Sequence, residues 1–123
     1  MQVPGNMTTP RMKLDDGEEI LETQQGLRKK GLFGNRFGEL HVTNRRVAFV
    51  KAIMKSGVIS AAANAKGAKP MVAFPLTAIQ SVERVPAKKL VHLVIGDGSR
   101  TEKFTIDPEA VDGVIARIKA AQG

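Results

Sequence analysis

The sequence predicts a mainly β (α+β) domain, a split barrel of about seven antiparallel strands capped by one C-terminal α-helix. Three observations predict it. Residues 37–53 carry the clearest period of two in the chain, broken by one tight turn. Four more short β-rich runs follow at close spacing between residues 71 and 106. From Asp107 the apolar spacing becomes helical. A small sheet with one apolar face needs such a helix as a cover.

Taken in order, residues 1–14 hold Pro4, Gly5, Asn6 and Pro10 and read as a flexible leader, with a single domain over 15–123. Asp15-Asp16-Gly17 signals a turn, and 18–27 a first strand, after which Gly26, Gly31 and Gly34 mark a basic, glycine-rich connection. Phe37, Glu39, His41 and Thr43 alternate with Gly38, Leu40 and Val42, which half-buries a strand. Thr43-Asn44-Arg45 is expected to turn tightly, with Asn44 tolerant of left-handed backbone. Val47, Phe49 and Val50 then suit a pleated surface, giving a hairpin partner over 46–53.

Residues 55–70, rich in Ala, Ser, Gly and Lys, break the rhythm and read as a long loop with a local helical turn near Ala61-Ala62-Ala63. Strands are expected over 71–76, 79–85, 89–95 and 100–106. Pro75 cannot donate to a ladder and places its strand at an edge or a bulge. Gly96-Asp97-Gly98-Ser99 supplies the positive φ of a hairpin turn. Asp107 can cap a helix opened by Pro108, and Val111, Val114, Ile115 and Ile118 form one apolar stripe.

Composition narrows the class. With 42% hydrophobic and 25% charged residues the chain is too apolar for disorder. No run reaches the roughly 18 apolar residues of a membrane-spanning helix, and the start lacks a secretory pattern, so a cytoplasmic location is expected. The absence of cysteine excludes disulfides, thiolate nucleophiles and cysteine-bound zinc.

The net charge of +7 is unevenly placed. Residues 28–69 hold ten bases and one acid, Glu39, whereas residues 1–27 hold two bases and five acids. Segregated charge of this kind speaks of partners rather than fold. In Arg28-Lys29-Lys30-Gly31-Leu32-Phe33-Gly34-Asn35-Arg36 two apolar residues sit between glycines and four cations. Such a tip suits an anionic bilayer: cations feel the surface potential while Leu32 and Phe33 enter the interface. Three engaged cations give about 1 kcal/mol each. With roughly 3 kcal/mol from the apolar pair, the affinity is on the order of tens of micromolar. The competing reading makes Leu32 and Phe33 core residues. Arg45 and Arg46 can likewise bind phosphate or an internal carboxylate. The 60–68 stretch or an exposed sheet edge offers a contact for a protein partner or a second copy.

Catalysis is not expected. His41 and His92 stand alone in strands, and no nucleophile elbow, phosphate-binding loop or His-Glu-x-x-His motif occurs. No cofactor or metal is expected. Nucleic acid is disfavoured because the chain has no Trp or Tyr for base stacking.

Four blocks carry a family resemblance. They are Gly17-Glu18-Glu19-Ile20-Leu21, the hairpin Gly38-Glu39-Leu40-His41-Val42-Thr43-Asn44-Arg45-Arg46-Val47-Ala48-Phe49, Phe74-Pro75-Leu76-Thr77-Ala78-Ile79-Gln80-Ser81-Val82, and 91–96 followed by Phe104. In this order, over about 17–118, they resemble GRAM domains and their bacterial pleckstrin-homology-like relatives. The resemblance implies a pleckstrin-homology-like split barrel with a C-terminal helix. It also implies a peripheral module on the inner face of the membrane that binds phosphatidylserine or phosphoinositide head groups. Lys29 and Lys30 match the lysine position near the end of the family's first strand. Residues 37–42, where the phosphoinositide signature has an Arg pair, contain no Arg or Lys. The expected lipid- or anion-binding set is Arg28, Lys29, Lys30, Leu32, Phe33, Arg36, Arg45 and Arg46, with protein–protein interaction or self-assembly as the alternative function.

Overall fold

A computed structural model describes residues 7–29, 34–54 and 67–123. The chain runs through β1 (Met7–Thr8), β2 (Ile20–Lys29), β3 (Arg36–Thr43), β4 (Arg46–Lys51), β5 (Ile53–Met54) and β6 (Val72–Pro75). A 3-10 turn (Leu76–Ala78) leads to β7 (Ser81–Ala87), β8 (Leu90–Gly96) and β9 (Thr101–Ile106). A second 3-10 turn (Pro108–Ala110) then opens α1 (Val111–Gln122).

Seven strands form one sheet in the order β6-β4-β3-β2-β9-β8-β7, with every neighbouring pair antiparallel. The sheet is not closed. Its outer strands, β6 and β7, each carry a proline, Pro75 and Pro86, where a missing N–H costs no ladder bond. The expected fold class, a mainly β split barrel of pleckstrin-homology-like design with one terminal helix, is the observed one.

Alternation decides the two faces. Leu40, Val47, Phe49, Phe74, Leu93 and Phe104 point inward and are almost wholly buried. The Phe49 and Phe104 rings meet with centroids 5.5 Å apart. Val111, Val114 and Ile118 of α1 complete this core, so the apolar stripe covers the sheet as its spacing predicts. Gln122 at the end of the helix donates to the Leu76 and Ile79 carbonyls, both at 3.1 Å, tying the cover to the crossover between the edge strands.

Gly26 of β2 faces Gly38 of β3. A Cβ on Gly26 would stand 2.3 Å from the Thr105 carbonyl oxygen, and one on Gly38 would stand 2.1 Å from that of Val50. Only glycine lets these backbones approach so closely.

Three local expectations change. Within the expected leader, Met7–Thr8 pairs with Ile53–Met54, and Met12 is buried against Ala48 and Val50 on the outer face of β4. The backbone secures it there, with Lys13 N–H on Ala68 O at 3.1 Å and Ala68 N–H on Arg11 O at 2.7 Å. Asn44 has no positive φ; instead its side chain holds the preceding turn, accepting from Glu19 N–H at 2.9 Å and donating to Gly17 O at 3.0 Å. The strand expected over 79–85 starts later, because Leu76–Ala78 winds into a 3-10 turn. The helical turn expected near Ala61 lies outside the described residues.

Candidate anion-binding end of the barrel

Antiparallel order gathers chain ends by direction. β2 runs out to Lys29, β4 to Lys51 and β8 to Gly96, while β3 starts at Arg36, β6 at Val72 and β9 at Thr101. These termini share one end of the barrel, and the connections 30–35, 52–71 and 97–100 leave from it. Lys29, Arg36, Lys51, Lys69 and Lys103 lie at that end, and among the described residues none of them forms an ion pair. Three acids stand near them: Glu83, level with Lys103 across Val94, forms no ion pair among the described residues, and the other two are committed. Glu102 accepts from Arg28 Nε–H at 2.7 Å. Asp97 is folded into its own turn, accepting from the Ser99 and Arg100 N–H groups. Those N–H groups hold its carboxyl below the usual range.

The opposite end holds most of the acids, beside Arg45, Arg46 and the β7–β8 turn residues Lys88 and Lys89. Asp15, Asp16, Glu18, Glu19, Asp107, Glu109 and Asp112 lie there or on the start of α1. Register therefore gathers cations that form no ion pair among the described residues at one end and seven of the twelve acids at or near the other.

The eight expected anion-binding residues divide into three groups. Lys30, Leu32 and Phe33 lie outside the described residues. Lys29 and Arg36 belong to the basic end, with Arg36 exposed and Lys29 directly opposite Lys103 across β2 and β9. Arg28 and Arg46 are corrected to internal roles. Arg28 and Glu102 retain only 12% and 13% of their side-chain exposure, so this guanidinium is neutralised within the wall. Arg46 grips the fully buried Glu18 carboxylate, with Nε–H on Oε2 at 2.8 Å and Nη2–H on Oε1 at 3.1 Å. Arg45, at the same far turn, donates to Asp16 O at 2.9 Å. Arg45 and Arg46 thus sit at the other end of β3 from Arg36, and the set does not make one patch.

The Thr43 turn explains why Arg46 is held. Thr43 Oγ1 accepts from the Arg45 and Arg46 N–H groups at 3.0 Å each and donates to Glu18 Oε2 at 2.7 Å. Burial pushes the Glu18 carboxyl up, but the bonds from Arg46, Thr43 and the Asp15 N–H outweigh it and leave it below the ordinary value.

Both histidines face outward beneath other groups. His41 Nδ1 lies 2.9 Å from Thr23 Oγ1, and its Nε2 is buried without a hydrogen-bond partner, 3.5 Å from Glu39 Oε1. Burial, then the Arg46 charge, lowers its pKa, while burial raises that of Glu39. His92 Nδ1 lies 3.0 Å from Thr105 Oγ1, and burial, then the charges of Lys103 and Lys29, lowers its pKa. Among the described residues no three His, Cys, Asp or Glu side chains cluster to hold a metal ion.

Two clefts open at the basic end. An apolar one of about 340 Å³ runs between Pro10, Val50, Ile53, Ala68 and Met71, with Lys51 and Lys69 at its margin. A polar one of about 390 Å³ lies against Gln80, Ser81, Gly96 and Thr101. Sequence reading missed both, since each joins segments distant along the chain.

No family model matches the chain, and no curated protein matches it. Among solved structures it is similar to the C-terminal domain of an unknown protein from Leishmania infantum, at 13% identity and a TM-score of 0.59. The match covers 87% of this chain and 86% of that one. At that identity the likeness concerns the fold alone. Among the described residues no helix is long and apolar enough to cross a membrane.

Proposed function

We propose that this chain is a non-catalytic, GRAM- or pleckstrin-homology-like module that contacts anionic membrane lipid through the basic end of its barrel, peripheral to the cytoplasmic face. One observation carries the reading: five cations that form no ion pair among the described residues share the end from which the 30–35 connection leaves, while seven of the twelve acids lie at or near the other. A barrel charged in this way turns one end toward an anionic surface before contact. Each cation near that surface is worth about 1 kcal/mol. Lys30, Leu32 and Phe33 belong to that connection by sequence, and the apolar cleft bordered by Lys51 and Lys69 adds apolar surface beside it.

Co-sedimentation with phosphatidylserine–phosphatidylcholine vesicles at low salt tests the proposal. The wild type pellets with the vesicles and is released by salt, and Lys29→Glu/Lys30→Glu stays in the supernatant. A wild type indifferent to such vesicles at low salt ends the lipid reading.

Protein interaction or self-assembly is the second reading. It is favoured by Leu14, Ile20 and Leu21, each more than a third exposed, among Asp15, Asp16 and Glu19. An acidic, partly apolar end complements the basic end of another copy. Light scattering that shows a strict monomer at high concentration and low salt removes the head-to-tail form of this reading.

A further inference from the structure

The outer face of β4 has a small core of its own. Met12, Ala48 and Val50 are buried together with Ala68 and Ala73 packed against them, apart from the apolar cluster inside the barrel. Two segments cover it, clasped where Met12 and Ala68 form a parallel bridge. Beyond that bridge Pro10, Val50, Ile53, Ala68 and Met71 line the apolar cleft of about 340 Å³. Main-chain bonds fix its walls: Ile53 pairs with Thr8, and Met71 N–H donates to Phe49 O at 2.8 Å. A hollow whose walls are set by the fold is a ready-made small-molecule site.

The rim of this cleft is positive. Lys51 and Lys69, both exposed, border it and form no ion pair among the described residues. By register the acid nearest the floor is Glu39, opposite Val50 on β3. It does not line the cleft, and its Oε1 lies 3.5 Å from His41 Nε2. Among the described residues no other lining side chain can donate a hydrogen bond. A ligand rich in hydroxyls therefore finds no partners here, whereas an apolar tail ending in one anion meets both features. Size narrows the choice further. An apolar cavity of about 150 Å³ takes a six-carbon ring, so this cleft has room for an alkyl chain of roughly a dozen carbons. That is one tail rather than the pair of a bilayer phospholipid.

We infer that this cleft binds a free, unbranched fatty carboxylate of medium chain length. The tail lies along Val50, Ile53 and Met71, and the carboxylate meets Lys51 and Lys69. The inference goes beyond the membrane reading, since it concerns a monomeric ligand in water and needs no bilayer.

The test titrates the full ¹⁵N-labelled chain with octanoate, decanoate and dodecanoate below their micellar concentrations, beside decyltrimethylammonium, and reads amide shifts. Each CH₂ taken fully out of water is worth about fourfold in affinity. In a cleft open on one side, affinity is expected to rise at least fivefold for every two carbons, with saturable shifts at Val50, Ile53, Ala68, Lys69 and Met71. Decanoate is expected to bind at least tenfold more tightly than decyltrimethylammonium, which has the same tail and the opposite charge. Met71→Gln and, independently, Lys51→Gln/Lys69→Gln change exposed positions only. Both are expected to keep the wild-type melting temperature and to weaken decanoate at least threefold. Amides at 50–53 and 67–71 that stay still with dodecanoate overturn the inference. So does affinity indifferent to chain length, to the sign of the head group or to both variants. Lys29→Glu/Lys30→Glu separates the membrane reading: it is expected to retain decanoate affinity within twofold while losing phosphatidylserine vesicles. A Met71→Gln variant that loses vesicles but keeps decanoate would assign the cleft to a bilayer chain, against the free carboxylate.

Discussion

Glu18 and Arg46, twenty-eight residues apart, form a bidentate ion pair in which the carboxylate is wholly buried and the guanidinium is still 19% exposed. The pair fastens the turn before β2 to the start of β4. Arg46 also donates to Lys13 O at 2.7 Å, so the same guanidinium anchors the segment that lies outside the sheet.

Removing one partner strands the other, and for a buried pair that costs roughly 3–5 kcal/mol. Glu18→Ala is therefore expected to lose about 3 kcal/mol of stability in urea unfolding, with Arg46→Ala losing at least as much because it leaves a bare buried carboxylate. The pH dependence follows from the sign of the shift. The folded-state pKa of Glu18 lies below its ordinary value of 4.5. Its contribution is complete above that value and disappears as pH falls through the lower folded value. The acid limb of the melting curve should be shallower in Glu18→Gln than in the wild type.

Gly26→Ala and Gly38→Ala are expected to unfold or severely destabilise the domain, by about 3 kcal/mol or more. Both would push a Cβ into backbone oxygen of a neighbouring strand, where no side chain can swing aside. Gly113→Ala, on the exposed side of α1 with open space around its Cβ, should instead stabilise by up to about 1 kcal/mol. Thermal melts of the three variants check the contrast.

His41 bears on a second pH range. Its folded pKa lies below the ordinary value of 6.5, so the folded state binds fewer protons and stability falls as pH drops below that value. Glu39, with its pKa raised, works in the opposite sense nearer 4.5. His41→Gln, which removes only the imidazole titration, should flatten the stability profile between about pH 6.5 and 5.5. An unchanged slope there assigns it to His92, whose pKa is lowered too.

What was legible in the sequence was periodic or local. The hairpin of β3 and β4 declared itself through alternation, Pro75 through its missing N–H, and α1 through the spacing of Val111, Val114 and Ile118. The β1–β5 pair was not legible, because two-residue strands carry no period. Nor was the burial of Met12, which depends on Ala68 arriving from a distant segment. The anion-binding set was read from proximity along the chain. Only register could show that Arg28 points to the same side as Glu102 and Lys29 to the other.

That last difference makes a prediction for adjacent cations of equal formal charge. Arg28 and Arg36 are cross-strand partners, yet the first is bound to Glu102 in the wall and the second is exposed at the basic end. Arg28→Glu should cost stability on the order of 3 kcal/mol, since it places two carboxylates together where an ion pair had been. Arg36→Glu should leave the melting temperature within a degree or two and weaken phosphatidylserine vesicle binding. Reversal of one engaged cation removes about 1 kcal/mol of attraction and adds repulsion of similar size, so the loss is at least tenfold. Melting curves and vesicle co-sedimentation of both variants separate the roles. Equal vesicle binding by Arg36→Glu and wild type would remove this residue from the membrane face, and a stable Arg28→Glu would return Arg28 to it.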